Sequence, residues 1–178
     1  ADTYDIFDPE TNQQIATAKE EPSGLVKFLR LLVNKALMPT TVTVYEHETQ
    51  QPVFRIQKNF AFLRPRVDVL DDENRPLGYF KSKLFSFGPR FMVFDTQDVQ
   101  FAEVKGDWKG WNFKFLSANG DEIGTVTKKW AGIAKEMFTS ADNYVVALNE
   151  NAPQSEAANM LLLAAGLAID IVYKEHKG

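Results

Sequence analysis

Met160-Leu-Leu-Leu-Ala-Ala-Gly-Leu-Ala-Ile-Asp-Ile-Val172 is apolar on every side except at Asp170. A helix without a polar face must be surrounded on all sides, by lipid or by protein. A bilayer span needs about 20 apolar residues, and this run has only about 13. The stretch therefore reads as a helix enclosed by protein. Ser155 can cap its start, and the helix runs to about Lys174. Ala164, Ala165, Gly166 and Ala168 are small enough to let surrounding side chains come close. Asp170 is costly in such a place unless it is paired or hydrogen-bonded.

The chain before this helix alternates apolar and polar residues, as half-buried strands do. Val42–Glu46 and Val53–Lys58 are two such strands around a polar turn. Val67–Asn74 with Leu77–Lys81, Phe91–Asp95 with Phe101–Lys105, and Asn112–Asp121 with Ile123–Lys128 repeat the plan. Tyr4–Pro9 with Gln14–Lys19 is a weaker fifth copy, and Asn143–Leu148 adds a last strand. Repeated hairpins mark an antiparallel meander. About twelve strands are more than an open layer usually carries. A sheet closed around the apolar helix would bury both and leave no edge.

The first and second hairpins are separated by an insertion. Leu25, Phe28, Leu29, Leu32 and Val33 fall at helical spacing there, with Ser23 as cap and Pro39 beyond the end. This predicts an amphipathic helix over about 23–37, packed on the sheet. Its Lys27, Arg30 and Lys35 would also suit an anionic membrane surface.

Composition bounds the rest. The chain has 178 residues, with 44% hydrophobic and 25% charged, as a soluble globular domain would. One domain over 1–178 is expected. The net charge of −4 argues against general nucleic-acid binding, which needs basic surface. There is no Cys, so disulfides, thiolate catalysis and palmitoylation are excluded. No N-terminal stretch resembles a secretion signal, and a cytoplasmic protein is expected.

Catalytic patterns are missing. The two His, at 47 and 176, have no clustered partners. No Gly-rich phosphate loop and no Gly-x-Ser-x-Gly elbow is present. Asp71 and Asp72 belong to a turn and read as solvated acids. The expectation is a non-enzyme without cofactors. One cationic group stands out: Arg64, Arg66, Lys81, Lys83 and Arg90 bracket one hairpin. Lys81 and Lys83 share a strand face, because the side-chain period is two. Such a group could hold an anionic head group, or simply keep the surface soluble.

Gly124-Thr-Val-Thr-Lys-Lys-Trp-Ala-Gly-Ile-Ala-Lys-Glu-Met-Phe-Thr-Ser-Ala-Asp-Asn-Tyr144 resembles the late segment of phospholipid scramblases. The shared features are Trp130–Ile133, Ser140–Tyr144 and Ile169-Asp170 in the apolar helix. That family is related in fold to Tubby C-terminal domains and LURP-one-related proteins. The resemblance implies a closed twelve-stranded barrel around the C-terminal helix. It also implies binding of anionic phospholipid or of a membrane-associated partner, peripheral to a membrane. Tubby domains bind phosphoinositides through basic strand residues.

The departures from the family count as well. A Pro-rich N-terminal extension and a Cys cluster are missing. The family's calcium loop keeps only Asp142 and Asn143 of its leading ligands, with Ser140 and Asn151 at acidic positions. Calcium needs several hard oxygen ligands, so no metal is expected. The family's nuclear-import stretch has Thr125 in place of Lys. The alternative reading is a protein-interaction scaffold or regulator with no lipid role.

Overall fold

Alternating segments become strands where each half-buried face has a neighbour to pack on, and a computed structural model shows the hairpins in sequence order. The structure describes residues 3–8, 11–21, 39–59, 66–82, 90–107, 112–128 and 144–173. The strands are β1 (Thr3–Phe7), β2 (Gln14–Glu20), β3 (Thr40–Glu46), β4 (Pro52–Lys58), β5 (Arg66–Asp71), β6 (Pro76–Ser82), β7 (Arg90–Phe94), β8 (Gln100–Asp107), β9 (Asn112–Ser117), β10 (Glu122–Lys128) and β11 (Tyr144–Leu148). Helix α1 (Glu156–Tyr173) follows. Every neighbouring pair is antiparallel, and the sheet order is the chain order. The predicted helix over 23–37 lies outside the described residues.

The repeat is visible in the turns. In three of them a side-chain oxygen at the first position accepts two backbone N–H groups. Asp71 Oδ1 accepts from Glu73 (3.0 Å) and Arg75 (2.8 Å). Asp95 Oδ1 accepts from Gln97 (2.8 Å) and Val99 (2.9 Å). Ser117 Oγ accepts from Asn119 (3.3 Å) and Asp121 (3.2 Å). Each turn then has one left-handed residue: Asn74, Asp98 and Gly120. This is the short hairpin loop with a left-handed residue and a bulge. Asn12 and Gln50 take the same conformation in the first two turns. All five hairpins carry a register shift beside the turn, which bends the strand and increases its twist.

That twist curls the sheet around α1. The inner face presents Val42, Val44, Phe54, Ile56, Val67, Val69, Phe80, Val93, Val104, Phe113, Phe115 and Val126, all buried. Glu20 and Lys58 are also buried near one rim of that face, and both are partnered. Ser155 caps α1, with its Oγ accepting from Ala158 N at 3.2 Å. Residues 164–169 are buried without interruption, so every side of the helix is covered there. A Cβ on Gly78 of β6 would stand 2.9 Å from the Leu161 side chain. A Cβ on Gly166 would stand 2.9 Å from Val146 on β11 and 3.4 Å from Val126 on β10. Residues 161 and 166 point about 140° apart around a helix of 3.6 residues per turn. Two distant parts of the sheet therefore grip different sides of it. Enclosure is looser in the first turns, where Met160 and Leu163 are only partly buried. The Asp170 side chain lies outside the described residues.

The expected closed barrel of about twelve strands is corrected. Among the described residues there are eleven strands in one open sheet, and β1 does not pair with β11. In an antiparallel meander all odd-numbered strands run the same way, so β1 and β11 are parallel. Joining them would take a parallel ladder, slightly less stable per residue than its antiparallel neighbours, and no such ladder forms among the described residues. The helix is enclosed by curvature and side-chain packing instead of by a closed hydrogen-bond ring.

Candidate functional site

The outer face of β5–β9 gathers half of the described cations. Arg66 and Lys81 are directly opposite one another across β5 and β6. Period two put Lys81 and Lys83 on one face. Lys83 and Arg64 lie outside the described residues, and the neighbour the structure gives Lys81 is Arg66. Two residues further toward the same end of the sheet, Arg90, Lys105 and Lys114 form a row across β7, β8 and β9. Like charges placed directly opposite repel, so the arrangement needs compensation.

The compensation is uneven. Arg66 Nε donates to Asp68 Oδ1 at 2.7 Å, and Asn59 Nδ2 donates to the other carboxylate oxygen at 2.9 Å. Arg90 Nε stands 2.7 Å from Glu103 Oε1, yet its N–H is not aimed at an acceptor. That pairing is electrostatic and holds Arg90 close to the sheet. Lys114 meets Glu122 at 2.7 Å. Lys81 and Lys105 are exposed and have no carboxylate partner among the described residues. By strand spacing and rise their Cα atoms are about 12 Å apart.

An aromatic platform positions two of these cations. The rings of Tyr79 and Phe94 stack with centroids 4.9 Å apart and 8° between planes. The Arg66 guanidinium lies 3.8 Å above the Tyr79 ring. Lys81 Nζ is 5.3 Å from the Tyr79 centroid and 5.4 Å from that of Phe94. Such contacts are worth about 0.5–1 kcal/mol at exposed sites. They hold the Arg66 guanidinium and the Lys81 ammonium over the two rings on the outer face. Tyr79 OH donates to Asp98 Oδ1 at 2.7 Å. That hydrogen bond, then burial, then the Asp98 charge raise the phenol above its ordinary value.

A groove of about 480 Å³ runs beside Arg66 and Tyr79, lined by Gln57, Asp68, Leu70, Gly78, Thr96 and Asp98 among others. Its lining has one cation and two carboxylates, so it does not favour an anion. On the outer face of β5–β9 the exposed lysines without a carboxylate partner among the described residues are instead Lys81 and Lys105. Sequence reasoning found Arg66, Lys81 and Arg90 but missed Lys105, Lys114 and the Tyr79–Phe94 platform. The alternation Glu103-Val104-Lys105 did place Lys105 outward. Its neighbours depended on register.

Among the described residues no group of three or more His, Asp or Glu could hold a metal ion. Asp142 and Asn143 lie outside them. Asn151 uses its backbone N–H on Asn149 Oδ1 at 2.9 Å, as a turn residue does. No helix among the described residues is long and apolar enough to cross a membrane.

No curated protein and no solved structure matches the chain. The family model described as Scramblase matches residues 1–176. That match spans nearly the whole sequence, including all eleven strands and the enclosed helix, and the chain therefore belongs to the scramblase family.

Proposed function

We propose that this domain binds anionic phospholipid head groups at the periphery of a membrane and acts by binding, without bond-making chemistry. The observation that carries the reading is the outer-face cation group. Lys81 and Lys105 have no acidic partner among the described residues, and Arg66 is held on an aromatic platform beside them. A head-group phosphate accepts charge-assisted hydrogen bonds from such donors. Membership of the scramblase family supports a lipid-related role.

Each Lys or Arg close to an anionic leaflet contributes about 1 kcal/mol. Neutralising two of them should weaken binding by about 30-fold, since 1.4 kcal/mol is tenfold, and reversing them should do more. The test is co-sedimentation with phosphatidylserine-containing and with neutral vesicles, at low and high salt. Wild-type protein is expected to pellet with the anionic vesicles at low salt and to be released by salt, because exposed charges are screened over about 8–10 Å. Lys81→Glu with Lys105→Glu should abolish pelleting while leaving the melt close to wild type. Equal pelleting by the double variant, or no pelleting by wild type, refutes the proposal and leaves the scaffold reading.

A further inference from the structure

The hairpins share a charge pattern as well as a shape. Every hairpin turn holds an acid: Asp8, Glu46, Asp71, Asp95 and Asp121. Every returning strand holds a lysine near its far end: Lys19, Lys58, Lys81, Lys105 and Lys128. In an antiparallel meander all those turns fall at one end of the sheet, and all those strand ends at the other. Lys58 faces inward, and the Lys19 ammonium reaches back to Gln50 in a hairpin turn, whereas Lys81 and Lys105 are exposed. Arg75 is the only Lys or Arg within the five turns, and it is shared by Asp71 and Glu73 at 2.7 and 3.1 Å. The net charge of −4 therefore conceals a crown whose many acids outnumber Arg75 and the Arg55 guanidinium bound there, and a basic pole at the opposite end, where the cations Arg66, Lys81, Arg90 and Lys105 outnumber the acids Glu20, Glu21 and Asp107.

The separation is large enough to matter. The strands run 5 to 8 residues. At about 3.3 Å per residue this is about 17–26 Å, roughly twice the screening length of 8–10 Å. Each end thus presents its own field to a charged surface. An anionic bilayer attracts one end and repels the other, which orients the molecule before contact.

We propose that the domain docks end-on, with the lysine-bearing strand ends against an anionic bilayer and the acidic hairpin turns pointing into water. This rests on the lipid-binding reading and adds a direction to it. The strand axes then stand steeply to the membrane, and the end of the sheet that carries Arg66, Arg90 and Lys105 faces the head groups.

The chain has no Cys, so one introduced thiol gives a unique label. Asn112→Cys places a fluorophore on an exposed residue at the basic pole, and Gln97→Cys places it on the crown. Both variants are bound to phosphatidylserine–phosphatidylcholine vesicles containing a nitroxide head-group lipid. The label at 112 should be quenched by the nitroxide and shielded from aqueous iodide. The label at 97 should behave as it does free in solution. Equal quenching of both, or quenching at 97 alone, overturns the orientation while leaving lipid binding intact. Failure of both labelled proteins and wild type to co-sediment refutes the lipid reading itself, and the orientation with it. Neutralising the crown by Glu48→Gln with Asp72→Asn gives an independent readout. End-on docking keeps those acids beyond the screening length, so affinity should change less than about twofold. A several-fold gain would show that the crown lies near the bilayer and that the domain lies flat.

Discussion

Replacing Gly166 by Ala and by Leu separates helix propensity from enclosure. Glycine inside a helix costs about 1 kcal/mol relative to Ala, and Leu is close to Ala on the same scale. If α1 were open on this side, both variants would gain about that much. In the structure a Cβ at 166 would stand 2.9 Å from Val146 Cγ2 and 3.4 Å from Val126 Cγ2. The first distance is inside van der Waals contact, and a valine methyl is stiff at χ1. Overpacking of this kind costs about 1–3 kcal/mol. For Ala the propensity gain offsets part of that, leaving a loss of about 0–2 kcal/mol. For Leu the gain is similar but three more carbons need room, so the loss should exceed that of Ala by about 2 kcal/mol or more. In a domain of this size 1 kcal/mol moves Tm by about 2–4 °C. Urea melts of the three proteins, read at constant m, measure the differences. A raised midpoint in both variants would show that β10 and β11 do not cover the helix here, and the enclosure reasoning would fail.

Leu162 is fully buried, so Leu162→Ala should cost about 2–5 kcal/mol in the same melts. A loss at the low end at Leu163, which is only partly buried, would confirm the uneven enclosure. Asp71→Ala leaves the turn N–H groups of Glu73 and Arg75 without their acceptor. A loss of about 1 kcal/mol is expected, as for a removed helix cap, and Asp95→Ala should match it if the hairpin units are equivalent. Tyr79 should ionise above the ordinary phenol range by ultraviolet titration. Its raised folded pKa means the contribution is complete below about pH 10 and is lost as pH rises through the folded value. Tyr79→Phe should flatten that alkaline slope, and an unchanged slope would show that the Asp98 hydrogen bond is not its source. Chelation or added calcium should leave the melt unmoved, and a calcium-dependent Tm would contradict the expectation that 140–151 holds no metal.

The hairpins were legible because each is a local object. Alternation sets the face of a strand, and Asp71, Asp95 and Ser117 open their turns by bonding to backbone a few residues on. Nothing distant is needed for either. The enclosed helix was legible for a related reason, since Ala164–Ile169 offers no polar side to water. Closure of the sheet was not legible. It depends on whether β1 and β11, far apart in sequence, come close enough to pair, and they do not.

The cation surface divides in the same way. Arg66, Lys81 and Arg90 were found because they stand near one hairpin in sequence, and their outward direction follows from period two. That Arg66 stacks on Tyr79, that Arg90 is held by Glu103, and that Lys105 stands between Arg90 and Lys114 are matters of register. The shift between Val93 and Phe94 sets what lies opposite Arg90, and a slip of one residue would turn each side chain to the other face. By itself, then, the sequence determined the strands, their faces, the turn chemistry and the helix that had to be buried. Tertiary structure alone decided which charges became neighbours and whether the sheet closed, because cross-strand pairing joins residues whose separation no local pattern encodes.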